Sequence, residues 1–68
     1  MKLTPRELEV IHTMLIAKSY KDAAELLKCN VYTVSKHLEN ARGKAGVRST
    51  HQLLLRCFAD KLITKEPA

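Results

Sequence analysis

The chain has 68 residues, 46% of them apolar and 28% charged, with a net charge of +5 and two cysteines. That length fits one small domain, and the composition is that of a folded globular chain rather than a disordered one. A membrane helix (which needs about 20 consecutive apolar residues), a secretory leader, a disulfide framework and a zinc site are all excluded, and a pocketed enzyme is hard to build at this size.

The predicted elements are all helices. The only glycines are Gly43 and Gly46, no proline falls between Pro5 and Pro67, and no apolar–polar alternation lasts long enough for a strand. The first helix is predicted over about residues 4–17. Thr4 caps it, Pro5 takes the first helical position, and Glu7 can return the hydrogen bond in a capping box. Leu8, Ile11, Met14 and Leu15 form its buried stripe. Ser19 to Asp22 offer a second capping box, opening a short helix over about 20–27 that turns Ala23, Ala24 and Leu27 inward. Lys28-Cys29-Asn30 breaks the chain, and Asn30 is a good N-cap for a third helix over about 31–45. Val34, Leu38, Ala41 and Ala45 mark its core side. Tyr32, Ser35, Lys36, Glu39 and Gly43 lie on the other, which is polar and basic. Gly46 suits the left-handed position that ends a helix. Ser49 to Gln52 open a fourth helix over about 50–62, followed by a short flexible tail at about 64–68. Leu53, Leu54, Leu55, Cys57, Phe58 and Leu62 are more apolar residues than one core face needs, so part of this helix is expected to meet a partner.

The charge is concentrated in the middle. Residues 18–48 carry seven basic side chains against three acidic ones, a net of +4, while residues 1–17 sum to zero. A basic stripe of this kind is either an electrostatic footprint for phosphate or a solvated face. A short helix, a turn and a longer helix have the layout of a helix-turn-helix, whose second helix enters the major groove.

Four segments carry a family resemblance. Leu3-Thr4-Pro5-Arg6-Glu7-Leu8-Glu9-Val10-Ile11 resembles the opening L-T-x-R-E-x-E-V-L of the LuxR-type domain, also called the GerE or FixJ C-terminal type. Ser19 to Leu27 resemble its S-N-K-E-I-A-x-x-L segment, Asn30 to Leu38 its S-x-x-T-V-K-x-H-V/L segment, and Lys44 to Val47 its K-L-G-V. The similarity runs without a gap from Leu3 to about Phe58. It implies an all-α, four-helix fold forming a single domain over residues 1–68. It also implies sequence-specific binding to double-stranded DNA in transcription regulation, with the third helix in the groove and a homodimer contact on the fourth. Residue by residue, it implies base-reading roles for Tyr32, Ser35, Lys36 and Glu39, and phosphate contacts from Tyr20, Lys21 and Thr33. Lys44 and Arg48 are open between phosphate contact and favourable placement near a helix C-terminus. The dimer contact falls on Leu53, Leu54, Cys57 and Phe58, and His37 matches a histidine that packs inside the domain.

Two departures matter. Ser35 stands where the family carries lysine, and Glu39 puts an acid on a surface that faces an anion, where it can accept from a cytosine amino group or point to solvent. A protein-interaction module that has lost or weakened DNA binding is therefore the alternative function, with promoter recognition beside polymerase a third. No cofactor, metal site or catalytic constellation is expected. Ser35 and His37 are two apart on a helix and cannot face one another. Family members usually carry an N-terminal receiver or ligand-binding domain. The chain, with two residues before Leu3, reads as an excised effector domain or a stand-alone regulator, cytoplasmic and associated with the bacterial nucleoid. Its further partners would be RNA polymerase or the missing regulatory domain, and no membrane.

Overall fold

The computed structural model describes residues 2–60. It contains α1 (Pro5–Met14), α2 (Tyr20–Leu27), α3 (Val31–Ala45) and α4 (Thr50–Ala59), with no strand among the described residues. The second and third helices have the predicted bounds. The first is shorter by its last turn: Leu15 N–H donates to His12 O and Ile16 N–H to Thr13 O, the tighter i→i+3 pattern in which helices often end. The predicted residues 61 and 62 of the fourth helix, with Leu62, and the tail at 64–68 lie outside the described residues.

Each helix starts on its predicted cap. At α1 the capping box is complete: Glu7 N–H donates to Thr4 Oγ1 at 3.1 Å, and Thr4 N–H donates to Glu7 Oε1 at 2.9 Å. At α2 and α4 the return bond shifts by one residue. Ser19 and Ser49 accept from Asp22 N–H and Gln52 N–H, but the Asp22 and Gln52 side chains reach the N–H of Lys18 and Arg48, outside the caps. Either way, one orphan donor of the first turn, the N–H of Asp22 or Gln52, is satisfied by the cap.

Two helices end on the same motif. Gly46 (φ 72°) closes α3 and Lys28 (φ 59°) closes α2, both left-handed. Val47 N–H then donates to Arg42 O at 3.1 Å, and Cys29 N–H to Ala24 O at 2.9 Å, the six-to-one bonds of a Schellman turn.

The core joins all four helices: Val10, Ile11, Ala23, Ala24, Val34, Leu38, Ala41, Ala45, Leu53 and Cys57. The predicted stripe of α3 is buried in full. On α1, Val10 is buried although it lies outside the predicted stripe, and Leu8 is only half-buried. Helix α3 packs on α1, α2 and α4, while α4 rests mainly on α3. The small side chains of α2 let α3 approach closely, which holds α3 across the domain with one long face outward.

Candidate nucleic-acid interface

The turn between α2 and α3 takes three residues. Lys28 reverses the backbone, Cys29 is half-buried against the core, and Asn30 caps α3. Asn30 Oδ1 accepts from Thr33 N–H at 2.8 Å and from Thr33 Oγ1 at 2.9 Å. The Thr33 hydroxyl hydrogen is thus committed to the cap, and reaching a phosphate requires it to turn away.

The first two turns of α3 present the predicted readers. Tyr32 is 72% exposed. The Lys36 and Glu39 side chains are 54% and 63% exposed, and Lys36 Nζ lies 3.8 Å from Glu39 Oε1. An exposed pair at that distance holds neither partner firmly. Both remain available, one as donor and one as acceptor. Ser35 is half-buried beside them, so it offers a hydroxyl rather than a charge. Lys21, second in α2, and Arg48, between α3 and α4, are exposed.

Other sequence expectations need correction. Lys44 lies in the last turn of α3, as expected for favourable placement near a helix C-terminus, but its charge is directed inward. Its Nζ is 2.8 Å from Oε1 of Glu7, whose side chain is 5% exposed. Burial alone pushes the Glu7 carboxyl up. The bond from Lys44 and the Thr4 N–H outweigh it and hold the group below its ordinary value. Lys44 is therefore a structural partner of Glu7, although its side chain stays 38% exposed. Leu53 and Cys57 are fully buried in the core, so neither can form a dimer contact on the folded domain. Burial also pushes the Cys57 thiol up, with Asp60 adding to it, which keeps it a neutral packing group. The outward apolar residue of α4 is Leu55, 54% exposed, with Leu54 and Phe58 half-buried against the core. The surplus of apolar residues on α4 is mostly core, because α4 is covered on one side only by α3 and uses large side chains to fill the contact. His37 is half-buried rather than inside.

One group was not foreseen. The Tyr20 hydroxyl lies 2.8 Å from Thr50 Oγ1, and Arg42 Nη1 donates to the same Thr50 oxygen at 3.3 Å. These residues come from the starts of α2 and α4 and the last turn of α3. No local spacing links positions 20, 42 and 50, so no sequence signal could have found them together.

Among the described residues no helix is long and apolar enough to cross a membrane, and no group of three or more His, Cys, Asp or Glu residues is placed to hold a metal ion. The family model described as bacterial regulatory proteins, luxR family (GerE), matches residues 1–57. No curated protein matches the chain.

Proposed function

The chain belongs to the luxR family of bacterial regulatory proteins, and we propose that it reads duplex DNA by placing α3 in the major groove. The family is one of helix-turn-helix DNA-binding domains in transcription regulation rather than of enzymes. The observation that carries the finer reading is the outward face at the start of α3, where Tyr32, Lys36 and Glu39 project with no strong partner. A groove about 12 Å wide admits a helix and leaves side chains of this length at the base edges.

Lys36 donates to guanine O6 and N7, and Glu39 accepts from a cytosine amino group. The pair favours a G·C-rich half-site, and Glu39 rejects bases that offer only acceptors. Tyr32 and Ser35 contact the flanking bases. Lys21, Arg48 and Thr33 contact phosphates and fix the register, with Thr33 acting once its hydroxyl leaves Asn30. The domain spans residues 1–68 and works as a homodimer on paired half-sites, with Leu55, Leu54 and Phe58 of α4 at the contact. It acts in the bacterial cytoplasm beside RNA polymerase, or under an N-terminal regulatory domain.

Selection of bound duplexes from a random pool at physiological salt tests this. Enrichment of a two-fold symmetric, G·C-containing site is the expected result. No enrichment, together with affinity that is flat in salt, sinks it. It would favour the second reading, a protein-interaction module, for which the exposed Val31 and Tyr32 at the start of α3 speak.

A further inference from the structure

The group formed by Tyr20, Arg42 and Thr50 has a simple hydrogen-bond ledger. The two hydroxyls share one bond of 2.8 Å, and either oxygen can be its donor. Two hydroxyl hydrogens and one shared bond leave one hydrogen over. The Thr50 oxygen also accepts from Arg42, which spends one of the five guanidinium N–H donors there. Among the described residues no carboxylate lies within ion-pair distance of Arg42; the four ion pairs involve Arg6, Lys36, Lys44 and Arg56. Arg42 is thus a half-buried cation steadied by a neutral hydroxyl, with most of its donors unspent among the described residues. Tyr20 and Thr50 are also the first residues of α2 and α4. The caps Ser19 and Ser49 take the N–H of Asp22 and Gln52 but not those of the residues before them. The group thus offers one spare hydroxyl hydrogen and the further N–H donors of Arg42, whose guanidinium brings a full positive charge. The complement is a tetrahedral oxyanion that accepts several bonds at once.

We propose that Arg42, Tyr20 and Thr50 form a clamp for one backbone phosphate of the bound duplex, on the strand flanking the groove that α3 enters. This rests on the reading that the domain binds duplex DNA. The clamp adds affinity without base preference, and its prior order lowers the entropic cost of the contact. Its chemistry would also suit inorganic phosphate, so the two sources must be separated.

The experiment measures affinity by fluorescence anisotropy over a range of salt. It compares the wild-type chain with Arg42→Gln and Tyr20→Phe, on the selected duplex and on a scrambled one. A series of duplexes carrying a single uncharged methylphosphonate at each backbone position completes it. Circular dichroism confirms that the variants are folded, and Tyr20→Phe, which removes one oxygen, stands in if Arg42→Gln is not. Arg42→Gln is expected to weaken both duplexes about equally, by roughly tenfold, and to lower the slope of log K against log salt by about 1. Tyr20→Phe should show a smaller loss. One methylphosphonate should weaken the wild type and leave Arg42→Gln unaffected, a non-additivity that a merely structural arginine would not produce. Additive losses at every position, or an unchanged slope, overturn the clamp while leaving DNA binding intact. Saturable binding of inorganic phosphate, with DNA affinity unchanged in Arg42→Gln, reassigns the group to a free anion and also overturns it. A wild-type chain that binds no duplex fails the functional reading and takes the clamp with it.

Discussion

Lys44 and Lys36 are both lysines of α3, yet their surroundings give them opposite uses. Lys44 meets a carboxylate that is 5% exposed at 2.8 Å, whereas Lys36 meets an exposed one at 3.8 Å. Removing Lys44 leaves Glu7 a buried acceptor with only the Thr4 N–H, so Lys44→Met should cost about 1–3 kcal/mol at pH 7. The folded value of Glu7 lies below its unfolded one. Its stabilisation is therefore complete above the ordinary carboxylate range, near pH 4.3, and is lost as pH falls through the lower folded value. Urea titrations at pH 7 and below pH 4 should show the gap between wild type and Lys44→Met closing on the acid side. A gap that ignores pH would mean that Lys44 stabilises the fold by something other than its pairing with the Glu7 carboxylate. Lys36 is held by nothing strong, so Lys36→Ala should leave the unfolding midpoint unchanged. It should lose about 1–3 kcal/mol on the selected site and relax preference at one base pair. Lys21→Ala should instead weaken all duplexes alike, and a loss confined to one sequence would reassign Lys21 as a reader.

At the scale of the element, α2 and α3 use the same ending with different residues. A glycine at Gly46 adopts φ 72° freely, but at Lys28, φ 59° brings a Cβ close to the carbonyl oxygen. Lys28→Gly should therefore stabilise the domain by about 1 kcal/mol. Gly43 is the converse case. It sits inside α3, and a Cβ there would meet nothing within 4 Å. Gly43→Ala should also stabilise, by about 1 kcal/mol, which for a domain of this size is roughly 4–8 °C in the thermal midpoint. Calorimetry on the two variants and their combination checks both, and a drop in midpoint for Gly43→Ala would overturn the reading that the glycine only lowers helix propensity. The caps of all four helices were legible in the sequence because a cap is a contact between residues three apart. The shifted return bonds at α2 and α4 were not, because the side chain chooses between two adjacent N–H groups according to how the chain enters the helix.

Among the described residues the core is thin, with four alanines among its ten buried apolar residues. Few large side chains carry the stability, and Leu53 and Cys57 of α4 are among them. A charged residue at Leu53 should unfold the domain. Leu55→Glu, on an exposed position, should leave the helical signal and half-site binding intact while weakening cooperative binding to paired half-sites. Cooperativity that survives Leu55→Glu would move the dimer contact off α4.

The chain itself determined the all-α class, the four caps, the bounds of α2 and α3, the core stripe of α3 and the outward position of Tyr32, Lys36 and Glu39. Each of these depends on residues within about one or two helical turns of each other, where spacing and side-chain chemistry suffice. The tertiary structure decided what depends on residues far apart. It paired Lys44 with Glu7, sent Leu53 and Cys57 inward and Leu55 outward, and brought Arg42 to Tyr20 and Thr50. Periodicity tells which residues share a helix face, but the crossing of helices decides how much of that face is covered and which distant charge it meets.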